Sequence, residues 1–362
     1  MGGLESPSIR RLARRATAPG VAWALALAAC RGPTSALDPA SPGAARIAAL
    51  SWFLFAVATV VCVAVAFGIL LALLRARRRP LTVGGGAPAA TNDITPVAIG
   101  GIVVPLLLLS VTLAYSVWTL REVTAPPDEP GMPDLPDAGA GATGGRGVAL
   151  TVQVIGEQFW WRVVYPGGAE TANEIHLPVG RSVRLKVTSN DVIHSFWVPR
   201  LMGKIDLIPG KANTLLLRAD EPGVYRGACA EFCGIQHAHM LLHVIAEPPP
   251  QFEAWLAREQ RPAREAEDPA ARRGAQVFAR AGCINCHRLR IGGGAIGGAA
   301  GPDLTHLASR RTLAGGMLDN TVGNLGGWIV NSQALKPGNK MPPIPLDGPD
   351  LQALLAYLRS LE

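Results

Sequence analysis

The sequence predicts a multi-domain membrane protein: a two-helix transmembrane hairpin, then a β-sandwich, then a small all-α domain. Three observations carry this expectation. Ile47 to Leu74 and Ile94 to Leu120 are apolar runs without a single charge, each longer than the roughly 20 residues that cross a bilayer. From Val148 onward, short alternating or β-branched stretches are bounded by Gly, Pro or Asp, the pattern of a sandwich. The last segment, Gly274 to Glu362, is Gly-rich with helical ends and small enough to need something besides its own apolar core.

Composition agrees. The chain has 362 residues, 49% hydrophobic and only 17% charged, which is long enough for two or three domains and low in charge for a protein wholly in water. Its net charge is +7, but residues 1–90 hold ten arginines against Glu5 and Asp38, and the rest is close to neutral. The basicity is therefore local, and no folded domain offers the basic face that nucleic-acid binding requires.

Taken in order, Arg10, Arg11, Arg14 and Arg15 precede the short apolar stretch VAWALALAAC, the layout of an export signal over residues 1–29. Its end, Leu27-Ala28-Ala29-Cys30, resembles the bacterial lipoprotein signal, which implies cleavage before Cys30 and lipidation of its thiol. Residues 30–46 form an exported N-terminal segment, and residues 47–120 the hairpin, with spans at 47–74 and 94–120. Arg75, Arg77, Arg78 and Arg79 lie between the spans. Short Arg-rich loops stay cytoplasmic, so the N-terminus and everything past Leu120 face outward.

Residues 121–147 are rich in Pro, Gly and Asp and read as a linker. The sandwich occupies 148–247, with strands expected in LTVQVIGEQFWWRVVYP, RSVRLKVTSNDVIHSFWVP, ANTLLLRA and HMLLHVIAE. A second linker, 248–273, contains one helical piece around Phe252 to Glu259, and the last domain fills 274–362.

That last domain contains Cys283-Ile284-Asn285-Cys286-His287. Cys-x-x-Cys-His is the attachment pattern of c-type haem: Cys283 and Cys286 bond covalently to the porphyrin and His287 ligates iron. A thioredoxin-like dithiol would sit in a βαβ context and needs no following histidine. Export fits too, because c-type haem is attached outside the bacterial cytoplasm. Over Gly274 to Leu361 the domain resembles the class I cytochromes c. The resemblance implies crossing terminal helices at Gly274, Phe278 and Tyr357, a loop GPDLTHL whose proline carbonyl supports His287, and a loop GNKMPP that presents Met341 as the second axial ligand. Met317 is the rival ligand but lacks a Pro-stiffened loop. Thioether and imidazole ligation raises the haem potential and suits electron transfer. His306 reads as a packing histidine.

Gly227 to Met240, GACAEFCGIQHAHM, packs two cysteines, two histidines and a methionine into fourteen residues, and His194 arrives from NDVIHSFWVP. In an oxidising compartment the thiols of Cys229 and Cys233 would form a disulfide unless a metal holds them. Two thiolates, two imidazoles and a thioether make a soft donor set that favours copper; a closed zinc site has no use for a weak thioether. The spacing resembles the binuclear CuA centre of cytochrome c oxidase subunit II. The resemblance implies that Cys229 and Cys233 bridge two coppers, that His194 and His237 are terminal ligands, that Met240 and the carbonyl of Glu231 are weak ligands, and that the Glu231 side chain holds a magnesium shared with subunit I. His239, His243 and His176 are not expected to bind metal: His239 should point away along an extended segment, His243 belongs to the next strand and His176 to an earlier loop.

The order of spans, cupredoxin-like sandwich and haem domain is similar to the caa-type branch of that family, from about Ile47 to the end. Two departures stand out. Family members commonly show Gln-Trp-Tyr-Trp where electrons enter, whereas this chain reads Gln158-Phe159-Trp160-Trp161; Phe159, Trp160 and Trp161 are the entry candidates here. Members also often carry a glutamate seven residues before the proline of the second span; here Ala98 precedes Pro105 at that distance and Asp93 is the nearest carboxylate, which puts a proton role in doubt.

The resemblance implies an electron-transfer subunit of a cytochrome c oxidase in the bacterial inner membrane, with both redox domains on the periplasmic side. Electrons would come from soluble cytochrome c or an upstream complex, pass through haem c and CuA, and reach subunit I, which with subunit III completes the partners; the oxygen-reducing site lies outside this chain. A tethered donor domain has an effective concentration on the order of millimolar, limited by linker reach. A nitric oxide reductase with a CuA subunit would share this plan, and a membrane-bound carrier without an oxidase partner is the non-enzyme alternative. Nitrous oxide reductase would need a large histidine-rich domain, and quinol oxidase subunits lack the copper ligands.

Overall fold

The computed structural model describes residues 31–77, 94–124 and 150–362. The signal segment with Cys30, the Arg78 and Arg79 part of the basic loop, Asp93 and most of the first expected linker lie outside the described residues.

Residues 45–125 form one unit, the helical one. Helix α1 runs Pro42–Arg77 and is longer than the expected span at both ends. The second span is helix α2, Thr95–Ala98, a π-helical stretch Ile99–Val103, and helix α3, Val104–Thr124. Proline at 105 has no N–H to give to the helical ladder, and the Val104 N–H reaches back to the Ile99 carbonyl, which widens the turn next to it. The two helices meet through the Phe53 and Tyr115 rings, edge to face at 5.1 Å, and through Arg46, whose guanidinium lies 3.2 Å from the Glu122 carboxylate. Their Val, Leu, Ile and Phe side chains stay exposed along the spans, so the surroundings that cover them must be apolar.

The second unit holds the sandwich and the C-terminal domain packed together. One sheet has strand order β3-β2-β1-β5-β8 and the other β4-β10-β9-β6-β7. In the first, β1 (Thr151–Glu157), β2 (Trp160–Val164), β3 (Glu170–Ala172), β5 (Val183–Ser189) and β8 (Asn213–Leu217) pair, with β1 and β5 parallel. In the second, β4 (Glu174–Pro178), β6 (His194–Trp197), β7 (Ile205–Leu207), β9 (Gly223–Cys229) and β10 (Leu241–Glu247) pair, with β4 and β10 parallel. Strand β5 shows how the sequence sets the layers: Val183, Leu185 and Val187 alternate inward, as the two-residue side-chain period demands. Trp161 and Phe196 fill the space between the sheets at 5.8 Å, edge to face.

The expected second linker is largely structured. Helix α4 (Pro249–Glu259) places Phe252 and Trp255 in the core of the sandwich, so that core extends past residue 247. Helix α5 (Pro269–Arg280) begins before residue 274, capped by the Asp268 side chain, which accepts from the Ala271 N–H.

The C-terminal domain is helical, with α5, α6 (Val322–Leu335) and α7 (Gly348–Arg359). Two short hairpins join them: β11 (Leu289–Ile291) with β12 (Gly294–Ile296), and β13 (Thr312–Leu313) with β14 (Leu318–Asp319). Helices α5 and α7 cross at Gly274, where a Cβ would strike the Ala353 carbonyl and the Tyr357 Cβ. Phe278 and Tyr357 meet at the same crossing with centroids 5.9 Å apart. The domain is bound to the sandwich at many points. Glu174 Oε1 accepts from the Arg311 and Thr312 N–H groups at 2.7 and 3.0 Å, and the Leu241 N–H donates to the Gly315 carbonyl at 2.8 Å.

Candidate metal centres

Strand β9 ends at Cys229, and the chain then turns through Cys233 into a 3-10 turn at His237–His239 before β10 begins. That loop folds back so that its sulfur and imidazole donors converge. Cys229 Sγ and Cys233 Sγ are unbonded and 3.9 Å apart. His194 Nδ1 lies 3.8 Å from Cys229 Sγ, and His237 Nδ1 lies 3.7 Å from Cys233 Sγ. Met240 Sδ is 3.8 Å from Cys233 Sγ, and the Glu231 carbonyl is 3.1 Å from Cys229 Sγ. All six expected copper ligands are thus in one cluster. Cys229, Cys233, His194 and Met240 are buried, so water is held away from most of the donors.

The electrostatics of the thiol pair fit a cation. Its close neighbour Cys233 and then, against the cost of burial, His194 and backbone N–H groups draw the Cys229 thiol well down from its ordinary value, while Cys229 pushes the Cys233 thiol up. Burial works against a charged His194, but Cys229 and Asp191 outweigh it and raise that imidazole. The Asp191 carboxylate takes Nε2 at 2.8 Å and leaves Nδ1 toward the sulfurs. Such a carboxylate partner fixes the ring orientation of a ligating histidine. Sequence reasoning passed over Asp191, although its place three residues before His194 was a legible signal.

The other histidines sit elsewhere. His239 shares the 3-10 turn with His237, rather than an extended segment, and its Nδ1 bonds Gln236 Oε1 at 2.7 Å. His243 lies in β10. His176 is in strand β4, not in a loop, stacked on Trp255 at 3.9 Å and 3.1 Å from Glu247. His306 is buried and bonds the Arg261 carbonyl at 3.0 Å.

In the C-terminal domain, a largely apolar cavity of about 260 Å³ is lined by Cys283, Cys286, His287 and Met341. His287 Nδ1 faces the Pro302 carbonyl at 2.8 Å, which makes that nitrogen the donor and leaves Nε2 as the nitrogen with a free lone pair. Gly301 lets the loop pass against the ring, since a Cβ there would stand 2.7 Å from His287 Cε1. The Met341 loop is held by its own backbone: the Met341 carbonyl accepts from Ser332 Oγ at 2.6 Å and Gln333 Nε2 at 2.9 Å. Met317 is not among the residues lining the cavity. Two thiols, one free imidazole nitrogen and a thioether around an apolar space fit a covalently attached haem.

The same cavity is bounded on one side by the sandwich, through Gln158, Phe159 and Trp160. Trp161 is not on that wall; it is fully buried, 6.1 Å from the His194 ring. The Gln158 side chain donates to the Cys233 carbonyl at 2.7 Å, and its N–H to Asp191 at 2.7 Å. Of the entry candidates, Phe159 and Trp160 therefore border the cavity and are buried beneath the docked domain, while Trp161 lies inside the sandwich beside His194.

From the small domain, Lys340 Nζ reaches Asp191 Oδ2 at 3.1 Å. Lys336 is buried, its Nζ within 2.9 Å of the Phe159 carbonyl, 2.9 Å of His239's and 2.8 Å of Ala314's. Burial pulls its ammonium down to about 8.

Residues 168–247 match the family model described as cytochrome c oxidase subunit II, periplasmic domain, and residues 271–362 match that described as cytochrome c. Over 345 residues the chain is 38% identical to a cytochrome c oxidase subunit 2 of Alkalihalophilus pseudofirmus, covering 93% of this chain and 94% of that one. A cytochrome c oxidase subunit 2 of Bacillus sp. is 33% identical over 224 residues, 59% of this chain and 62% of that one. The periplasmic domain of subunit II of the Bradyrhizobium japonicum cytochrome oxidase is 32% identical, covering 31% of this chain and 93% of that structure with a TM-score of 0.30.

Proposed function

The chain belongs to the cytochrome c oxidase subunit II family, and from that premise we propose that it is the electron-entry subunit of a caa-type terminal oxidase. The observation that carries this reading is the shared wall: Phe159 and Trp160 border the cavity of the C-terminal domain, and Gln158 beside them bonds the loop of Cys233.

His194, Cys229, Cys233 and His237 would hold a binuclear copper centre, with Met240 and the Glu231 carbonyl as weak ligands. Cys283 and Cys286 would bond a haem whose iron His287 and Met341 ligate. When bound, these groups supply two one-electron redox sites in series between an external donor and the subunit that reduces oxygen to water. The protein orients the ligands through Asp191 on His194 and the Pro302 carbonyl on His287, and it excludes water from Cys229, Cys233 and Met240. With Phe159 and Trp160 buried, a soluble donor reaches the copper cluster by way of the C-terminal domain.

Glu231 is exposed beside Phe232 and Ile235, which are 76% and 72% exposed. This tip is the surface we assign to subunit I, with the Glu231 carboxylate on a shared magnesium. Subunit III would complete the assembly, and a soluble cytochrome c or upstream complex would be the donor. The protein would lie in the bacterial plasma membrane as a two-span subunit, with both redox domains on the outer side.

The test is purification of the complex through a tag on this chain, followed by oxygen uptake with an artificial reductant. Cyanide-sensitive oxygen consumption, with co-purified non-covalent haem, is the expected result. Nitric oxide consumption with oxygen untouched would instead place the chain in a reductase.

A further inference from the structure

Resting on that reading, we propose that Lys336 is a positioning residue for transfer between the two redox sites, pinning the C-terminal domain to the entry loop and the copper loop at once. Lys336 follows helix α6 directly and is only 2% exposed. Its ammonium has three donors and no acceptor, and it meets three backbone carbonyls from three separate segments. The Phe159 carbonyl belongs to the loop leading into β2. The His239 carbonyl belongs to the loop between His237 and Met240. The Ala314 carbonyl belongs to the turn between β13 and β14.

A buried cation without a carboxylate partner is costly, and none of the three acceptors is charged. What these bonds supply is geometry: all three acceptors must hold their places for the ammonium to be satisfied. The surrounding contacts repeat the arrangement. The Leu241 N–H donates to the Gly315 carbonyl at 2.8 Å, and Gln236 Nε2 donates to the Pro337 carbonyl at 2.6 Å. Lys336 also starts the loop that presents Met341, so one short segment positions a haem ligand and grips the loop that carries His237 and Met240. Electron-transfer rate falls exponentially with separation, so a contact fixed on both sides replaces a search between two tethered domains with one fixed distance.

The experiment uses the whole oxidase complex with Lys336→Met, which keeps an unbranched side chain one atom shorter and removes the ammonium. A photoexcited ruthenium–bipyridine complex, regenerated by a sacrificial amine, gives one electron to haem c after a light flash, and copper reduction is followed by its absorbance at several glycerol concentrations. In the wild-type complex one phase independent of viscosity is expected. In the variant, loss of charge-assisted bonds should slow that phase by about tenfold or more and make it viscosity-dependent, with the haem and copper spectra unchanged. A purely structural role would not create viscosity dependence. If K336M loses either spectrum, Lys336→Gln, which retains part of the donor set, decides, and it should give an intermediate rate with partial viscosity dependence. A rate equal to wild type and independent of viscosity in the variant that keeps its spectra overturns the proposal. Failure of copper to be reduced after haem in the wild-type complex would refute the functional reading itself, whatever Lys336 does.

Discussion

Asp191 Oδ1 holds His194 Nε2 at 2.8 Å, while Asp191 Oδ2 accepts from Lys340 Nζ at 3.1 Å and from the Gln158 N–H at 2.7 Å. One carboxylate thus joins a proposed copper ligand, the turn between β1 and β2, and the residue beside Met341. Burial opposes its ionisation, but His194, the backbone donors and Lys340 outweigh burial and lower its pKa, so it remains an acceptor at neutral pH.

Asp191→Ala should therefore weaken copper binding by about 10–100-fold, the usual effect of removing such a partner from a ligating histidine. Copper titration followed by absorbance checks it. Asp191→Asn, which keeps one acceptor oxygen for His194, should lose less. Unchanged affinity in the alanine variant would mean that packing alone orients the ring.

Gly274→Ala adds a methyl group where α5 meets the Ala353 carbonyl and Tyr357 of α7. Backbone on one side and a Cβ on the other leave little to yield, and overpacking of this kind costs roughly 1–3 kcal/mol. The melting of the C-terminal domain, followed by haem absorbance, should move to lower temperature. Substitution at Gly323, where nothing lies within 4 Å, is the control and should leave it in place.

Much of this site was legible because short motifs fix it locally. The Cys-x-x-Cys-His pattern, the Cys229-to-Met240 spacing and the Gly274, Phe278 and Tyr357 crossing each state a local geometry in residue types. The interface between the domains was not legible. Lys336 reads in sequence as one more surface lysine after a helix, and nothing in its neighbourhood names Phe159, His239 or Ala314 as acceptors. Residues 248–273 read as a linker with one helical piece around Phe252 to Glu259, yet Phe252 and Trp255 bury against the sandwich; two aromatic residues three apart on that helix were the overlooked sign. His176 was misplaced because Glu174–Pro178 is only five residues long, too short for alternation to register.

His176 gives a pH dependence with a definite sign. Burial alone would lower its pKa, but Glu174 and Glu247 outweigh burial and raise it above the ordinary value of about 6.5. The charged pair stabilises the fold fully below about pH 6.5, the value in the unfolded chain, and that stabilisation is lost as pH rises through the higher folded-state value. Melting temperatures of wild type and His176→Gln should therefore differ most on the acid side of that window, above the range where the carboxylates themselves protonate, and converge on the alkaline side. A gap that stays constant with pH would assign the effect to the Trp255 stack.

Met341→Ala tests the axial ligand without disturbing its loop. The backbone bonds from Ser332 and Gln333 to the Met341 carbonyl, and from the Met341 N–H to Asn339 Oδ1 at 2.8 Å, do not involve the thioether. The haem would remain attached through Cys283 and Cys286, so covalent haem content should be unchanged while the midpoint potential falls, because the thioether raises it. Redox titration and the absorbance of the purified complex measure both. Met317→Ala should leave the potential where it was, since that residue does not line the cavity. If the two variants behaved in the opposite way, the loop after α6 would be a structural cover and the ligand would come from the β13–β14 turn.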